Sequence, residues 1–246
     1  MEHTEFIRYL PGSETAILLI HGIVGTPAHF RDLLPEIPSE YSIYNILLEG
    51  HGQDVDALSA ASMKQWKQQV WDVLALLFSR HRRVLITAHS MGTLFAIQAA
   101  IDHPDKIPGL FLLAVPTRPW LPVSTMLTSL RVAWGNIRPN DTKAIAMQNA
   151  GSVRMTRKLW KYLGWIPRFL ELLAECRRVR LLLPQLQTPT QAFQSRTDEM
   201  VSFRSVKDLT AIAAITCTVL NESGHFAYSE EDTQLLQRQF RNFLTG

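Results

Sequence analysis

Short runs of aliphatic and β-branched residues recur along the chain at 16–21, 41–48, 83–88, 109–115, 189–195 and 215–221. Each is strand length. Several, such as "RVLITA" and "GLFLLAV", are apolar almost throughout, which is the pattern of strands covered on both faces rather than one. Between them, apolar residues fall at helical spacing near 62–80, 91–103, 202–213 and 230–244. Strand and helix in alternation predict an α/β class, a mainly parallel sheet with helices on both sides. Helix punctuation agrees: Ser59 or Ser62 stands at an N-cap position, and two prolines follow the helix after Ser90. The alternation lapses once, between about 117 and 185.

The sharpest junction is "VLITAHSMGTLFAIQAA" at 84–100, where a strand run stops and a helix run begins at Ser90. A serine between small residues at minus two and plus two, here Ala88 and Gly92, has the layout of a nucleophile elbow. That turn is so tight that larger side chains at the flanking positions would strike neighbouring backbone. It presents the serine above the carboxyl end of the sheet with the amino end of a helix behind it.

Serine is a weak nucleophile until a base takes its proton, and the base needs an acid to orient it. The expected chain order is Ser, Asp or Glu, then His. "AFQSRTDEMVSF" puts Asp198 just past one strand, and "TVLNESGHFAYS" puts His225 just past the next, at strand ends where open α/β sheets carry their active residues. Asp198 is the expected acid, with Glu199 the adjacent alternative and Asp208 set aside inside a helix. Among the eight histidines, His3, His29, His81 and His103 are expected to be surface or core polar residues, and His89 to pack under the turn. Two backbone N–H groups should receive a tetrahedral oxyanion: that of Met91, and that of Ile23 in "LLIHGIVGTPAHF", where Gly22 and Gly25 permit close approach. A second glycine-rich loop, "LLEGHGQD", lacks a phosphate-binding spacing and is expected to be a structural turn.

Five segments in this order, "LLIHGIVGTPAHF", "LLEGHG", "AHSMG", "SRTDEMV" and "ESGHF", resemble the α/β-hydrolase superfamily, and within it small bacterial carboxylesterases and monoacylglycerol-lipase-like enzymes. The resemblance spans nearly everything outside 117–185. It implies the same triad (Ser90, Asp198, His225) and the same oxyanion donors (Ile23, Met91). It further implies a core domain of 1–116 and 186–246, with 117–185 a helical cap inserted after the sixth strand. Ala88 departs from the glycine most members carry. Serine at the elbow argues against relatives that use Asp or Cys there, but does not separate an esterase from a thioesterase, amidase or perhydrolase. The expected activity is cofactor-free and metal-free hydrolysis of a small-molecule carboxylic ester, short- to medium-chain or monoacylglycerol-like, through an acyl-enzyme. Its rate should rise with pH through roughly 6 to 7, where an ordinary histidine sheds its proton. A catalytically idle receptor on the same fold is the rival.

Composition narrows the setting. A chain of 246 residues that is 46% hydrophobic can bury one sizeable core. A net charge of +3 gives no argument for nucleic acid. The two cysteines, Cys176 and Cys217, are far apart and are expected to be reduced thiols, Cys217 buried in a strand. With neither a signal-peptide pattern nor a membrane-length apolar run, the expectation is a cytoplasmic protein, its oligomeric state left open.

Charge is uneven, however. Residues 117–185 hold 12 Lys and Arg against 3 Asp and Glu, while the rest of the chain holds 13 against 19. Four of the six tryptophans lie there too, and apolar residues recur at 159, 162, 163, 166, 169, 170, 172, 173 and 176, with Gly164 and Pro167 expected to split them into two short helices. This apolar face is expected to rest on the domain below and to line an acyl pocket, with Trp120, Met126, Leu127, Trp134 and Phe169 among its walls. Membrane association is not expected.

Overall fold

A computed structural model describes residues 3–120, 128, 131–132, 135, 137 and 140–246. Among the described residues seven strands form one sheet: β1 (Phe6–Arg8), β2 (Thr15–Ile20), β3 (Ser42–Ile46), β4 (Arg83–His89), β5 (Leu110–Leu113), β6 (Thr190–Ser195) and β7 (Ile215–Leu220). Their order across the sheet is β1-β3-β2-β4-β5-β6-β7, with every pairing parallel except β1 on β3. Each apolar run therefore became a strand. Every residue of β2, β3 and β5 is buried, as strands covered on both faces should be.

Among the described residues seven α-helices accompany the sheet: α1 (Val55–Ala60), α2 (Met63–Arg80), α3 (Met91–Asp102), α4 (Thr142–Ala150), α5 (Trp165–Leu182), α6 (Ser205–Thr210) and α7 (Glu230–Thr245). The two faces of the sheet have separate cores. One joins Leu18 and Ile86 to Trp66, Leu94 and Val179; the other joins Ile17 and Phe111 to Leu236, Phe240 and Phe243. In the second, Phe111 meets Phe193, Phe240 and Phe243 at ring separations of 4.7, 5.0 and 5.5 Å. Each such aromatic pair contributes about 1 kcal/mol beyond the area it buries.

Caps explain where helices begin. Ser62, not Ser59, caps α2 by accepting from Gln65 N–H. Asp54 caps α1, accepting from the N–H groups of Asp56 and Ala57. Two elements fall outside the expected pattern. β1 has only three residues, too few to alternate, and its place at the sheet edge is secured by the Arg8 guanidinium donating to the carbonyls of Pro38 and Tyr41. α1 is a six-residue helix whose cap is its main sequence signal.

Two expectations about 117–185 need correction. The run does divide at Gly164, which ends a 3-10 helix over Leu159–Gly164, but Pro167 makes no further break, because it is the third residue of α5, within the first turn where its missing N–H costs no intrahelical bond. Nor do the apolar residues form one face. Cys176 and Val179 are buried in the core shared with α2 and α3, whereas Leu163, Ile166, Leu170 and Leu173 are exposed. Helical spacing at both phases of the turn produced the broader pattern. In the described sheet the segment departs after β5, the fifth strand of this chain, since only the short β1 precedes β2. Cys217 is half-buried, because β7 is the outermost strand on its side. Burial pushes its thiol up to about 11, and burial with Glu175 beside it pushes Cys176 up to about 12, so both stay protonated thiols at neutral pH.

Candidate active site

β4 ends at His89 and α3 begins at Met91, leaving Ser90 to make the whole turn at φ 52°, ψ −122°. Positive φ is costly for a residue with a side chain and persists only where surroundings enforce it. Those surroundings are visible: Ser90 N–H donates to Leu113 O, and its carbonyl accepts from Thr93 N–H and Oγ1–H. A Cβ on Gly92 would lie 2.2 Å from Ile20 O, and one on Gly22 would lie 2.7 Å from Ser90 Cβ. Ala88, at minus two, is fully buried within β4 between Ile20 and Leu112, so one methyl is accommodated there.

The loops after β6 and β7 bring their side chains to this turn. His225 Nε2 lies 3.1 Å from Ser90 Oγ, and Nδ1 lies 2.8 and 3.1 Å from the two carboxylate oxygens of Asp198. With the carboxylate able only to accept, Nδ1 carries the proton and Nε2 is free to accept from the serine hydroxyl. Asp198 also accepts from Met200 and Val201 N–H, each at 2.7 Å, which fixes its orientation. Both side chains are almost wholly buried, at 3% and 1% exposure. Glu199 does not reach the ring. Its Oε2 accepts from His225 N–H at 2.8 Å, gripping the backbone while Asp198 holds the imidazole. Asp208 is farther off in α6, held by two donors of Arg118 and by Thr117.

The loop after β2 completes the arrangement. Leu48 N–H donates to His21 Nε2, so His21 Nδ1 bears its proton and donates to Gly22 O at 2.8 Å. Val24 N–H donates to His51 Nε2 at 3.1 Å, and His51 Nδ1–H donates to Leu48 O. Val24 takes a φ of 59°, and Gly25 N–H closes the turn on Gly22 O. The Ile23 N–H has no partner among the described residues, and Met91 N–H, first in α3, is one of the orphan donors of a helix start. "LLEGHGQD" is thus a structural turn with a specific task, since its His51 and Leu48 shape the Ile23 loop. Neither histidine's role was readable from local sequence, because each partner lies 27 residues away.

His29 and His89 form a second histidine pair beneath His225. Their rings stack at 3.7 Å, His89 Nε2–H donates to His225 O, and His29 Nε2 pairs with the Tyr228 hydroxyl. Burial dominates their protonation: it holds His21 and His89 well below the ordinary histidine range, His51 at about 4, and, with His225 and Arg31 adding repulsion, His29 at about 3. All four are neutral at pH 7. Among the described residues no group of three His, Cys, Asp or Glu is arranged to hold a metal ion.

A cavity of about 480 Å³ opens beside this constellation, bordered by Ile23, Met200 and Phe226. Its apolar wall comes from Val24, Val132, Met147, Val153, Trp165 and Phe169. Of the expected wall residues, Phe169 borders this cavity. Trp120 is 58% exposed, and its backbone N–H donates to Met200 O. The expected wall residues Met126, Leu127 and Trp134 lie outside the described residues.

A parallel sheet with a positive-φ serine at the turn from its central strand, and an Asp–His pair on the loops beyond, defines an α/β protein of hydrolase type. The chain belongs to the alpha/beta hydrolase family, whose model matches residues 17–240. It is similar to a thermostable monoacylglycerol lipase of Bacillus sp. (strain H-257), 28% identical over 98 residues that make up 39% of each chain. It is also similar to a pyrethroid hydrolase of Sphingobium wenxiniae, 31% identical over 116 residues, 46% of this chain and 40% of that one. The chain thus spans about two fifths of the length of these curated relatives. A solved structure from work on the metagenome-derived lipolytic enzymes LipS and LipT shares the fold at a TM-score of 0.73, with 19% identity over 100% of this chain and 98% of that one. An enol-lactonase of Burkholderia xenovorans LB400 shares it at 0.62, with 14% identity over 98% and 96%. No helix among the described residues is long and apolar enough to cross a membrane.

Proposed function

We propose that the protein hydrolyses carboxylic esters through an acyl-enzyme, with Ser90 the nucleophile, His225 the general base and acid, and Asp198 the orienting carboxylate. The observation that carries this is the continuous hydrogen-bond path from Ser90 Oγ through His225 to Asp198, joined to a serine held at φ 52°. Ser90 Oγ attacks the ester carbon as its proton passes to His225 Nε2. The oxyanion that forms is received by the N–H groups of Ile23 and Met91. Collapse expels the alcohol, which leaves with the proton from His225. Water then repeats the sequence on the acyl-enzyme, releasing the carboxylic acid and restoring Ser90.

Residues 117–185 act in this reading as the cap whose Trp165 and Phe169 bound the acyl cavity. A volume of about 480 Å³ suits a short or medium acyl chain. The names of the relatives, a monoacylglycerol lipase and a pyrethroid hydrolase, are those of a lipase and a hydrolase, which supports the same class. The test is a fluorophosphonate probe followed by peptide mapping, run beside a series of p-nitrophenyl esters of increasing acyl length. The expected result is labelling at Ser90, lost in Ser90→Ala, with turnover highest for a short or medium chain. Folded protein that takes no label and cleaves no ester, thioester or amide would instead be an idle receptor on this fold.

A further inference from the structure

The cavity beside Ser90 has one charged residue on its border among the described residues, Arg157, and no carboxylate. Its other described borders are apolar, apart from Gln148 and two glycines. Among the described residues the Arg157 guanidinium makes no hydrogen bond or ion pair, whereas Lys161 pairs with Asp56, Arg168 with Glu171, and Arg178 with Glu175. A guanidinium at the rim of an otherwise apolar space, with no partner among the described residues, has five donors and a permanent charge left over for something that enters.

The backbone that presents it is tied down on both sides. Ser152 N–H donates to Val24 O in the Ile23 loop, and Arg154 N–H donates to Gln53 O in the loop after β3. The Tyr162 hydroxyl then clasps residue 156, accepting from Thr156 N–H at 2.9 Å and donating to Thr156 O at 3.0 Å. Lys158 N–H closes onto Thr156 Oγ1. Arg157 is exposed at the rim, yet it springs from a segment anchored to the same loop that carries Ile23, so its distance from the reacting centre is restricted.

We infer that the protein selects esters whose acyl chain ends in an anion, with Arg157 receiving a terminal carboxylate while the methylenes occupy the apolar cavity. Arg157 is then a specificity-determining residue, and the substrate class is the half-ester of a medium-length dicarboxylic acid. This rests on the ester-hydrolase reading above. The geometry explains why an apolar cavity of this size would leave one cation unneutralised: a neutral acyl chain gains nothing from it, whereas a carboxylate gains a charge-assisted bond at the far end of the chain.

The test has a binding arm independent of turnover. Calorimetry on Ser90→Ala compares monomethyl suberate with dimethyl suberate, a pair that differs only in whether the far end is a carboxylate or its neutral methyl ester. The half-ester should bind about five-fold more tightly, the range of a partly exposed ion pair. That preference should disappear in Ser90→Ala/Arg157→Gln and shrink as ionic strength rises. A catalytic arm compares kcat/KM for p-nitrophenyl hydrogen suberate and p-nitrophenyl octanoate. The ratio should fall about five-fold in Arg157→Gln and remain unchanged in Arg82→Gln, a substitution at the far end of the sheet. Equal binding of the two suberates, or a ratio that survives Arg157→Gln, overturns the inference. Absence of turnover on every ester would overturn the hydrolase reading instead, and the binding arm would still decide the role of Arg157.

Discussion

Ser90, Ile23 and His225 are fixed at their main chain. Ser90 is wedged between Leu113 O and the amide of Thr93, the Ile23 loop is tied through His21 and His51, and His225 is gripped at its amide by Glu199. Across the cavity, Trp165 and Phe169 are held by side chains. The Trp165 indole donates to Val55 O, and its ring packs edge-on to Tyr162 at 5.1 Å, with Phe169 at 6.3 Å. The two regions face one space but tolerate change differently. A main-chain site has few alternative arrangements, so a displaced atom disables it. A side-chain wall can repack, so a lost ring changes which substrate fits.

The comparison breaks most visibly at the hydrogen-bond path. Ser90→Ala and His225→Ala should each lower kcat/KM about ten-thousand-fold or more, because nucleophile and base act as a unit. Asp198→Asn should cost nearly as much by turning the imidazole to the wrong tautomer. Glu199→Gln, which keeps an acceptor for His225 N–H, should cost far less. Steady-state kinetics on one p-nitrophenyl ester checks all four, and a dead Glu199→Gln beside an active Asp198→Asn would exchange the two carboxylates' assignments.

Next is the main chain itself. Gly92→Ala would set a methyl 2.2 Å from Ile20 O, backbone of the neighbouring strand that cannot swing aside. The expected loss is about 3 kcal/mol, the upper range for overpacking, and is read as a lower urea midpoint. Gly12→Ala is the contrast: nothing lies within 4 Å of that Cβ, and only its φ of 82° opposes the change.

What could be read in the sequence follows the same division. The elbow, the Asp198 and His225 loops and the Ile23 turn announce themselves because backbone geometry demands particular residues at fixed spacing: Gly92 for clearance, Gly22 for approach, a serine between strand and helix. The six apolar runs became strands because a two-face-buried strand must be apolar throughout. Residues whose partners are distant stayed silent. His51 serves a loop 27 residues away, His29 meets Tyr228 across 199, and Trp120 carries no mark showing that its ring turns outward. β1 was missed for a different reason, since three residues at an edge hold no period. The two phases of α5 merged because its exposed and buried faces are both apolar.

The histidines under the site sharpen the comparison through pH. A histidine whose folded pKa is lowered adds its full stability above the unfolded value near 6.5 and loses it as pH falls toward the folded value. For His51, 1% exposed and held at about 4, the loss by pH 5 is about 2 kcal/mol, and His21, His29 and His89 act in the same direction. Urea midpoints at pH 7 and pH 5 should therefore fall steeply, in a window above that of ordinary carboxylates. The main-chain site should loosen first, seen as fluorophosphonate labelling lost at lower urea than the loss of far-ultraviolet circular dichroism. Equal midpoints at the two pH values would mean that these histidines are not buried neutral.

The smallest expected effect lies on the side-chain wall. Phe169 borders the cavity and is only half-buried, so Phe169→Ala removes a ring from a space that is already open rather than from a sealed core. Stability should change by about 1 kcal/mol, below the usual cost of emptying a packed phenylalanine site. The acyl contact it removes is worth a similar amount, so kcat/KM for an octanoyl ester should fall about five-fold while that for an acetyl ester stays within two-fold. The split matters more than either value. A main-chain defect would depress both esters together, because it would misplace Ser90 or the Ile23 amide whatever the acyl group. Parallel losses on acetyl and octanoyl esters would show that Phe169 supports the catalytic floor instead of measuring the chain above it.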